Sequence, residues 1–223
     1  MKKIISFLCT LGLIGCSAAT YGFELDNSDK SLTVGCKSAY MMDSNSGECI
    51  YKQNECERLP IASMCKVMTL TLVLDAIDSG KLSLDDTVTV SDNASGMGGS
   101  QVFLASGCKY QVDQLIKSIV VCSANDSCVA LSETVAGSED SFVAAMNKKA
   151  AELGCNDTLF ANCTGLPKPT QYSCAKDVAV MFRNLLKYEN YFDYSKIWLE
   201  DFVHPDNRIT SMTNTNKLLR KYK

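Results

Sequence analysis

Residues 58–74 read Arg58-Leu59-Pro60-Ile61-Ala62-Ser63-Met64-Cys65-Lys66-Val67-Met68-Thr69-Leu70-Thr71-Leu72-Val73-Leu74. A proline-marked entry here opens a long apolar run of helical period, with Ser63 and Lys66 expected in its first turn. Residues three apart lie on one helix face with Cβ atoms about 5–6 Å apart, so the Ser63 hydroxyl and the Lys66 amine can share a hydrogen bond. A serine hydroxyl is a poor nucleophile until a base takes its proton, and a lysine serves as that base when burial or a neighbouring cation favours its neutral form. The free N–H groups of a helix start add partial positive charge where an oxyanion would form. Spacing alone is a weak signal, because Ser-x-x-Lys recurs at Ser106/Lys109 and Ser173/Lys176. Ser106 precedes Gly107 in a polar, loop-like stretch, and Ser173 stands where an N-cap is expected for a helix over 175–186. Only Ser63 opens a strongly apolar helix.

Upstream of this stretch, residues 38–43 and 48–52 read as two strands joined by the turn Ser44-Asn45-Ser46-Gly47. Downstream, the Ser63 helix is expected to run to about Ile77 and to stop at Ser79-Gly80. Residues 86–91 alternate like a short strand, and 96–100 form a glycine-rich loop. From residue 112 the periodicity turns helical, over 112–122, 126–136, 141–153 and 175–186. The segment 193–209 is ambiguous, and it holds the only tryptophan, Trp198, expected as a packing anchor. The order is therefore α/β: strands, the Ser63 helix, then a mostly helical lobe.

With 223 residues, 46% of them hydrophobic, the chain can bury a sizeable core. A net charge of −3, with no basic stripe ahead of the 217–223 tail, gives no electrostatic footprint for nucleic acid. Residues 1–22 read as an export signal: Lys2 and Lys3 precede an apolar run over 4–14 that is too short to span a bilayer comfortably. The mature chain is then expected outside the cytoplasm, in the cell envelope, after a polar linker at 23–35. Leu13-Ile14-Gly15-Cys16 also resembles a bacterial lipobox, which would place a membrane-anchoring lipid on Cys16. Cleavage after Ala18 or Gly22 fits equally well. Ten of the twelve cysteines follow the signal. With no Cys-x-x-Cys and a single histidine, His204, ligand spacing argues against structural zinc. Disulfides in an exported chain and small buried apolar thiols both account for the cysteines.

A second cluster, Ser123-Ala124-Asn125, lies between two expected helices, where a hydroxyl and an amide can project from a tight connection. Taken alone it is a helix N-cap. The literal Ser91-Asp92-Asn93 follows a strand and reads as a turn. Together, Ser63-x-x-Lys66 and Ser123-x-Asn125 resemble the penicillin-recognising serine enzymes, whose signatures are Ser-x-x-Lys, Ser-x-Asn and Lys-Thr-Gly. Ser38-Ala-Tyr-Met-Met-Asp43, Arg58-Leu-Pro-Ile-Ala-Ser63, Gly98-Gly-Ser-Gln-Val-Phe-Leu104, Ser123-Ala-Asn-Asp126, Asn162-Cys-Thr-Gly-Leu166 and Thr213-Asn-Thr-Asn-Lys-Leu-Leu219 resemble successive landmarks of the D-alanyl-D-alanine carboxypeptidases, the low-molecular-mass penicillin-binding proteins of serine peptidase family S11. The likeness covers roughly residues 36–223.

The resemblance implies a penicillin-binding protein or serine β-lactamase-like transpeptidase fold, with a small antiparallel sheet beside a mostly helical lobe. It implies that Ser63 attacks the carbonyl between the two terminal D-alanines of a peptidoglycan stem peptide, and that Lys66 takes the Ser63 proton. Ser123 would relay a proton to the leaving D-alanine, and Asn125 would hold the substrate amide and orient Lys66. The Ser63 N–H would be half of the oxyanion hole. β-Lactams would inhibit by acylating the same serine, and no metal or organic cofactor is implied. In the family, Asn-Lys-Leu-Leu is soon followed by the Lys-Thr-Gly strand, which holds the substrate carboxylate and supplies the other oxyanion donor. Residues 1–223 do not contain it. The expectation is therefore a truncated or fragmentary member without its C-terminal sheet strands, inactive or weak as given, since losing one oxyanion donor alone costs about 10²–10³ in kcat. Two rival readings remain: a class A β-lactamase, disfavoured by the Ser-Ala-Asn form and the lack of a recognisable glutamate loop, and a non-catalytic β-lactam- or peptidoglycan-binding envelope protein. Cys65, one residue before Lys66, is expected to point away from the Ser63–Lys66 face and to serve packing.

Overall fold

The hairpin anticipated over 38–52 forms as β1 (Ala39–Met42) and β2 (Cys49–Gln53), paired antiparallel in a computed structural model that describes residues 34–221. Its turn is held by the Asp43 carboxylate, which accepts from the N–H groups of Asn45 and Ser46 at 3.0 and 2.7 Å. The expected export signal, the lipobox reading of Cys16 and all but the last two residues of the 23–35 linker lie outside the described residues.

A 3-10 turn, Ala62–Cys65, leads into α1 (Lys66–Asp78). Met68, Leu70, Val73 and Leu74 are each 5% exposed or less, so α1 is buried on nearly every side, the pattern of a core helix. Gly80, at φ +72, takes the chain out of it. Then come β3 (Thr87–Thr89), α2 (Asp92–Ser95) and β4 (Lys109–Gln111), with β3 and β4 antiparallel. The helical lobe consists of α3 (Val112–Cys122), α4 (Asn125–Ala136), α5 (Glu139–Glu152), α6 (Ala175–Leu185) and α7 (Glu189–Ser195). The ambiguous segment resolves into the end of α7 and β5 (Leu199–Val203), which pairs antiparallel with β6 (Ile209–Thr213). In both strands alternate residues point inward, placing Phe202 and Met212 in the core.

α1 is the hub of the packing. It touches α6, which carries the β1–β2 hairpin, on one side, and α4 and α5 on the other; α3 packs against α4, α7 and the β5–β6 hairpin. At its N-terminal end, Lys66 meets Asn125 at the start of α4 and the Thr164 carbonyl. Among the described residues no helix is long and apolar enough to cross a membrane. All ten cysteines there are free thiols, and Cys65, Cys128, Cys155, Cys163 and Cys174 are buried as small apolar residues.

Two local expectations need correction. Ser173 does not cap α6. Its backbone is bridged to Leu59 at 2.8 and 3.0 Å and its hydroxyl pairs with Thr158 Oγ1 at 2.7 Å, while the Cys174 thiol accepts from the Asp177 N–H at 3.5 Å as the cap. Ser91 is a cap rather than part of a bare turn, accepting from the Ala94 N–H at 3.0 Å at the start of α2.

Candidate active site

Ser63 stands on the 3-10 turn, exposed, immediately before the buried start of α1. It is not in the first turn of a continuous α-helix as expected, because the preceding Ala62 sits at φ 46. A non-glycine residue there costs on the order of 1–3 kcal/mol and persists only when its surroundings hold it. Gly165, at φ +85, supplies that hold. An ideal Cβ on Gly165 would lie 2.0 Å from the Ala62 carbonyl oxygen and 2.9 Å from the Ser63 nitrogen, so only glycine lets the two backbones approach this closely.

Lys66 is 4% exposed. Its Nζ donates to Ser63 Oγ at 3.1 Å, to Asn125 Oδ1 at 2.7 Å and to the Thr164 carbonyl at 2.7 Å. Two of these acceptors are carbonyl oxygens, which only accept. They claim two N–H bonds, so the third position on the nitrogen faces Ser63. When Nζ is charged that position donates to Oγ; when it is neutral the lone pair sits there and the Ser63 O–H donates to it. The geometry is that of a hydroxyl and its base within hydrogen-bond reach, the base oriented by further groups.

Asn125, the first residue of α4, joins this cluster to a strap formed by residues 98–105. Its N–H donates to the Ser100 carbonyl at 2.7 Å and its Nδ2 to the Gly98 carbonyl at 2.7 Å. Gly99, at φ +79, clears the way, since a Cβ there would lie 2.8 Å from Nδ2. The next residue, Asp126, is fully buried and accepts from the strap's Val102 and Leu104 N–H groups at 3.1 and 3.0 Å.

Ser123 ends α3 in the left-handed region, φ 62 and ψ 39. The N-cap of α4 is Ala124, so Ser123 is not the cap that its position suggests. Its Oγ is buried instead of projecting, and it is the one buried side-chain oxygen or nitrogen among the described residues without a hydrogen-bond partner. Its donor and acceptor capacity is therefore not taken up by another group of the described residues.

The competing serines have other employment. Ser106 donates to the Asp92 carboxylate and Ser173 is bound as described above. Cys65 is fully buried behind the site, donating to the Asn162 carbonyl at 3.3 Å, and burial pushes its thiol well above the ordinary range. Burial pushes the Cys122 thiol, which donates to the Ser118 carbonyl at 3.2 Å, up to about 11. Neither has the lowered pKa of a reactive cysteine. Sequence reasoning did not foresee the parts played by Thr164, Gly98, Gly99, Gly165 and Asp126. Their stretches stood out only as landmarks, because a backbone carbonyl or an absent Cβ carries no side-chain signature.

Solved structures share this fold. Penicillin binding protein 6B from Escherichia coli matches with a TM-score of 0.79 at 31% identity, over 87% of this chain and 62% of that chain. Penicillin binding protein 5 from Haemophilus influenzae matches with a TM-score of 0.79 at 29% identity, over 87% and 56%. The architecture is thus the α/β fold of the penicillin-binding proteins. The sequence profile of Peptidase S11, D-alanyl-D-alanine carboxypeptidase, matches residues 26–223, and the chain belongs to that family. D-alanyl-D-alanine carboxypeptidase DacF of Bacillus subtilis (strain 168) is 38% identical over 225 residues, covering all of this chain and 57% of that protein. DacC of Escherichia coli (strain K12) is 34% identical over 174 residues, 75% of this chain and 44% of the relative. The chain spans about half the length of these curated relatives.

Proposed function

We propose that this chain carries the nucleophile half of a serine-type D-Ala-D-Ala carboxypeptidase, acting on peptidoglycan stem peptides outside the cytoplasm. The observation that carries the reading is the buried Lys66 amine, held by Asn125 and Thr164 with its remaining position on Ser63 Oγ. In this reading Lys66 Nζ takes the Ser63 proton as Oγ attacks the carbonyl between the two D-alanines. Ser123, with its unpartnered hydroxyl, passes a proton to the departing D-alanine nitrogen. Asn125 orients the lysine and the substrate amide, and water then hydrolyses the ester on Ser63. The substrate carboxylate and the second oxyanion contact belong to a Lys-Thr-Gly element absent from residues 1–223, so full turnover is assigned to a protein that carries it. β-Lactams are the expected acylating inhibitors. Export by residues 1–22, with or without a lipid on Cys16, would deliver the protein to its substrate.

The test is a penicillin-labelling and D-alanine-release assay on chain 1–223, on the longer product where the reading frame continues, and on Ser63→Ala of each. Labelling and D-alanine release that depend on Ser63 support the proposal. Rapid penicillin hydrolysis would select the β-lactamase reading, and peptidoglycan binding indifferent to Ser63→Ala would select a binding protein.

A further inference from the structure

The strap that holds Asn125 is gripped from its other side by the chain's only histidine. His204, at the end of β5, is 2% exposed. Its Nε2 lies 3.0 Å from Thr210 Oγ1, and its Nδ1 lies 3.1 Å from the Tyr110 hydroxyl and 3.2 Å from Arg208 Nη2. The direction of each bond follows from its neighbours. Thr210 Oγ1 donates to the Val102 carbonyl at 3.1 Å, so its oxygen is free to accept from His204 Nε2–H. Tyr110 Oη accepts the Ala105 N–H at 3.2 Å, so its own proton points at Nδ1. Arginine can only donate, and Arg208 Nη2 also donates to the Phe103 carbonyl at 2.8 Å. Nδ1 therefore faces two donors and has room for no proton of its own. One form of the ring fits, the neutral Nε2–H tautomer.

Through these partners His204 is tied to three places on the strap: the Val102 carbonyl, the Phe103 carbonyl and the Ala105 N–H. The Asp126 carboxylate fixes the alternate ones, Val102 and Leu104 N–H, from within. Phe103 between them is held at φ 65 and is 54% exposed, a strained conformation that such a double grip sustains. The strap's other end is bonded to Asn125, which holds the Lys66 amine. Taken with the reading of Lys66 and Ser63 above, on which its catalytic consequence rests, this connectivity has a functional meaning. We propose that His204 is a positioning residue that, through Thr210, Tyr110 and Arg208, holds the 98–105 strap against Asn125, and that protonation of its ring releases the strap and slows acylation of Ser63.

Protonated Nδ1 would present a hydrogen to the Arg208 guanidinium, which can only donate, replacing that contact by repulsion, and would require the Tyr110 hydroxyl to turn its own proton away and accept instead. The other charges near the ring are Asp206 on the same hairpin and the buried Asp126, both of which favour the charged ring. Burial and Arg208 oppose it and hold the imidazole below its ordinary value. The release therefore belongs on the acid side of 6.5.

The experiment compares wild type with His204→Asn, His204→Phe and Thr210→Val in chain 1–223 and in the longer product where the reading frame continues. Two readouts are taken from pH 5 to 8: amide hydrogen exchange at Val102, Leu104 and Ala105, and the rate of acylation by a fluorescent penicillin. Asparagine keeps one acceptor and one donor but does not titrate. Wild type is expected to lose exchange protection at these amides, and about tenfold or more in acylation rate, on acidification. His204→Asn is expected to keep exchange protection flat with pH and to show a shallower fall in acylation than wild type, the remaining fall being that of the Lys66 base, whereas His204→Phe and Thr210→Val are loose at every pH. Protection in wild type that is unchanged by pH, or Thr210→Val with the full protection of wild type, overturns the inference whatever the acylation data show. Absence of acylation at all pH values in a product that carries Lys-Thr-Gly, with the exchange pattern as expected, would instead reject the reading of Ser63 and leave the clasp standing.

Discussion

Replacing Gly165 by alanine probes the site without touching a polar side chain. The new Cβ would fall 2.0 Å from the Ala62 carbonyl oxygen, 2.4 Å from its carbon and 2.9 Å from the Ser63 nitrogen. All three are backbone atoms, so no side chain can rotate away, and the 3-10 turn bearing Ser63 must move relative to Thr164. The backbone itself, at φ +85, adds about 1–2 kcal/mol for a left-handed non-glycine residue. Overpacking adds about 1–3 kcal/mol. The sum, about 2–5 kcal/mol, lies within the roughly 5–15 kcal/mol that holds a domain folded, so the variant should fold with a lowered Tm. Displacing the hydroxyl by an ångström from its base should lower penicillin acylation about 10²-fold. Gly80→Ala is the control: Gly80 has φ +72 but nothing within 4 Å of its Cβ position. It should lose only the left-handed cost and acylate normally. Stopped-flow labelling alongside thermal melts separates the two effects. Gly165→Ala that acylates at the wild-type rate would refute the claim that this close approach places Ser63.

Other substitutions test the neighbouring bonds. Asn125→Ala removes an acceptor from the buried Lys66 amine and the donor to Gly98, and should cost about 1–3 kcal/mol for each group left unpaired, with acylation falling in parallel; Tm and labelling rate check it. Thiol alkylation followed by peptide mapping should modify exposed Cys36, Cys49 and Cys56 in the native protein but reach Cys65 and Cys163 only on unfolding, since burial raises both buried thiols. His204 carries a pH signature in stability. Its folded-state value is lowered, so the unfolded chain binds the proton more readily, and the contribution is fully present above about 6.5 and lost as pH falls through the folded value. Melting scans from pH 8 to 5 should show a fall in Tm that is shallower in His204→Asn.

Much of the frame was legible because it rests on periodicity and punctuation. α3 occupies 112–122 as its apolar spacing indicates, and the β1–β2 hairpin sits astride its Asp43–Gly47 turn. The rest was hidden for identifiable reasons. Ala62, Phe103 and Ser123 all adopt positive φ, which no alanine, phenylalanine or serine advertises in a sequence. β5 was obscured because its inward face is Glu200 and Phe202 while Leu199 and Val203 lie outward and exposed, inverting the usual polarity pattern. Cys174 is an uncommon cap, which drew the N-cap expectation one residue early to Ser173. The Ser63–Lys66 pairing was foreseeable from spacing and helix context, but the third support of Lys66 was not, being the Thr164 backbone carbonyl ninety-eight residues away.

Peptide mapping of the penicillin adduct by mass spectrometry addresses the nucleophile itself. The covalent mass should reside on the peptide containing Ser63 and disappear in Ser63→Ala and in Lys66→Ala. An adduct on the Ser106 or Ser173 peptide, or one that survives Ser63→Ala, would contradict the assignment of Ser63 and its lysine.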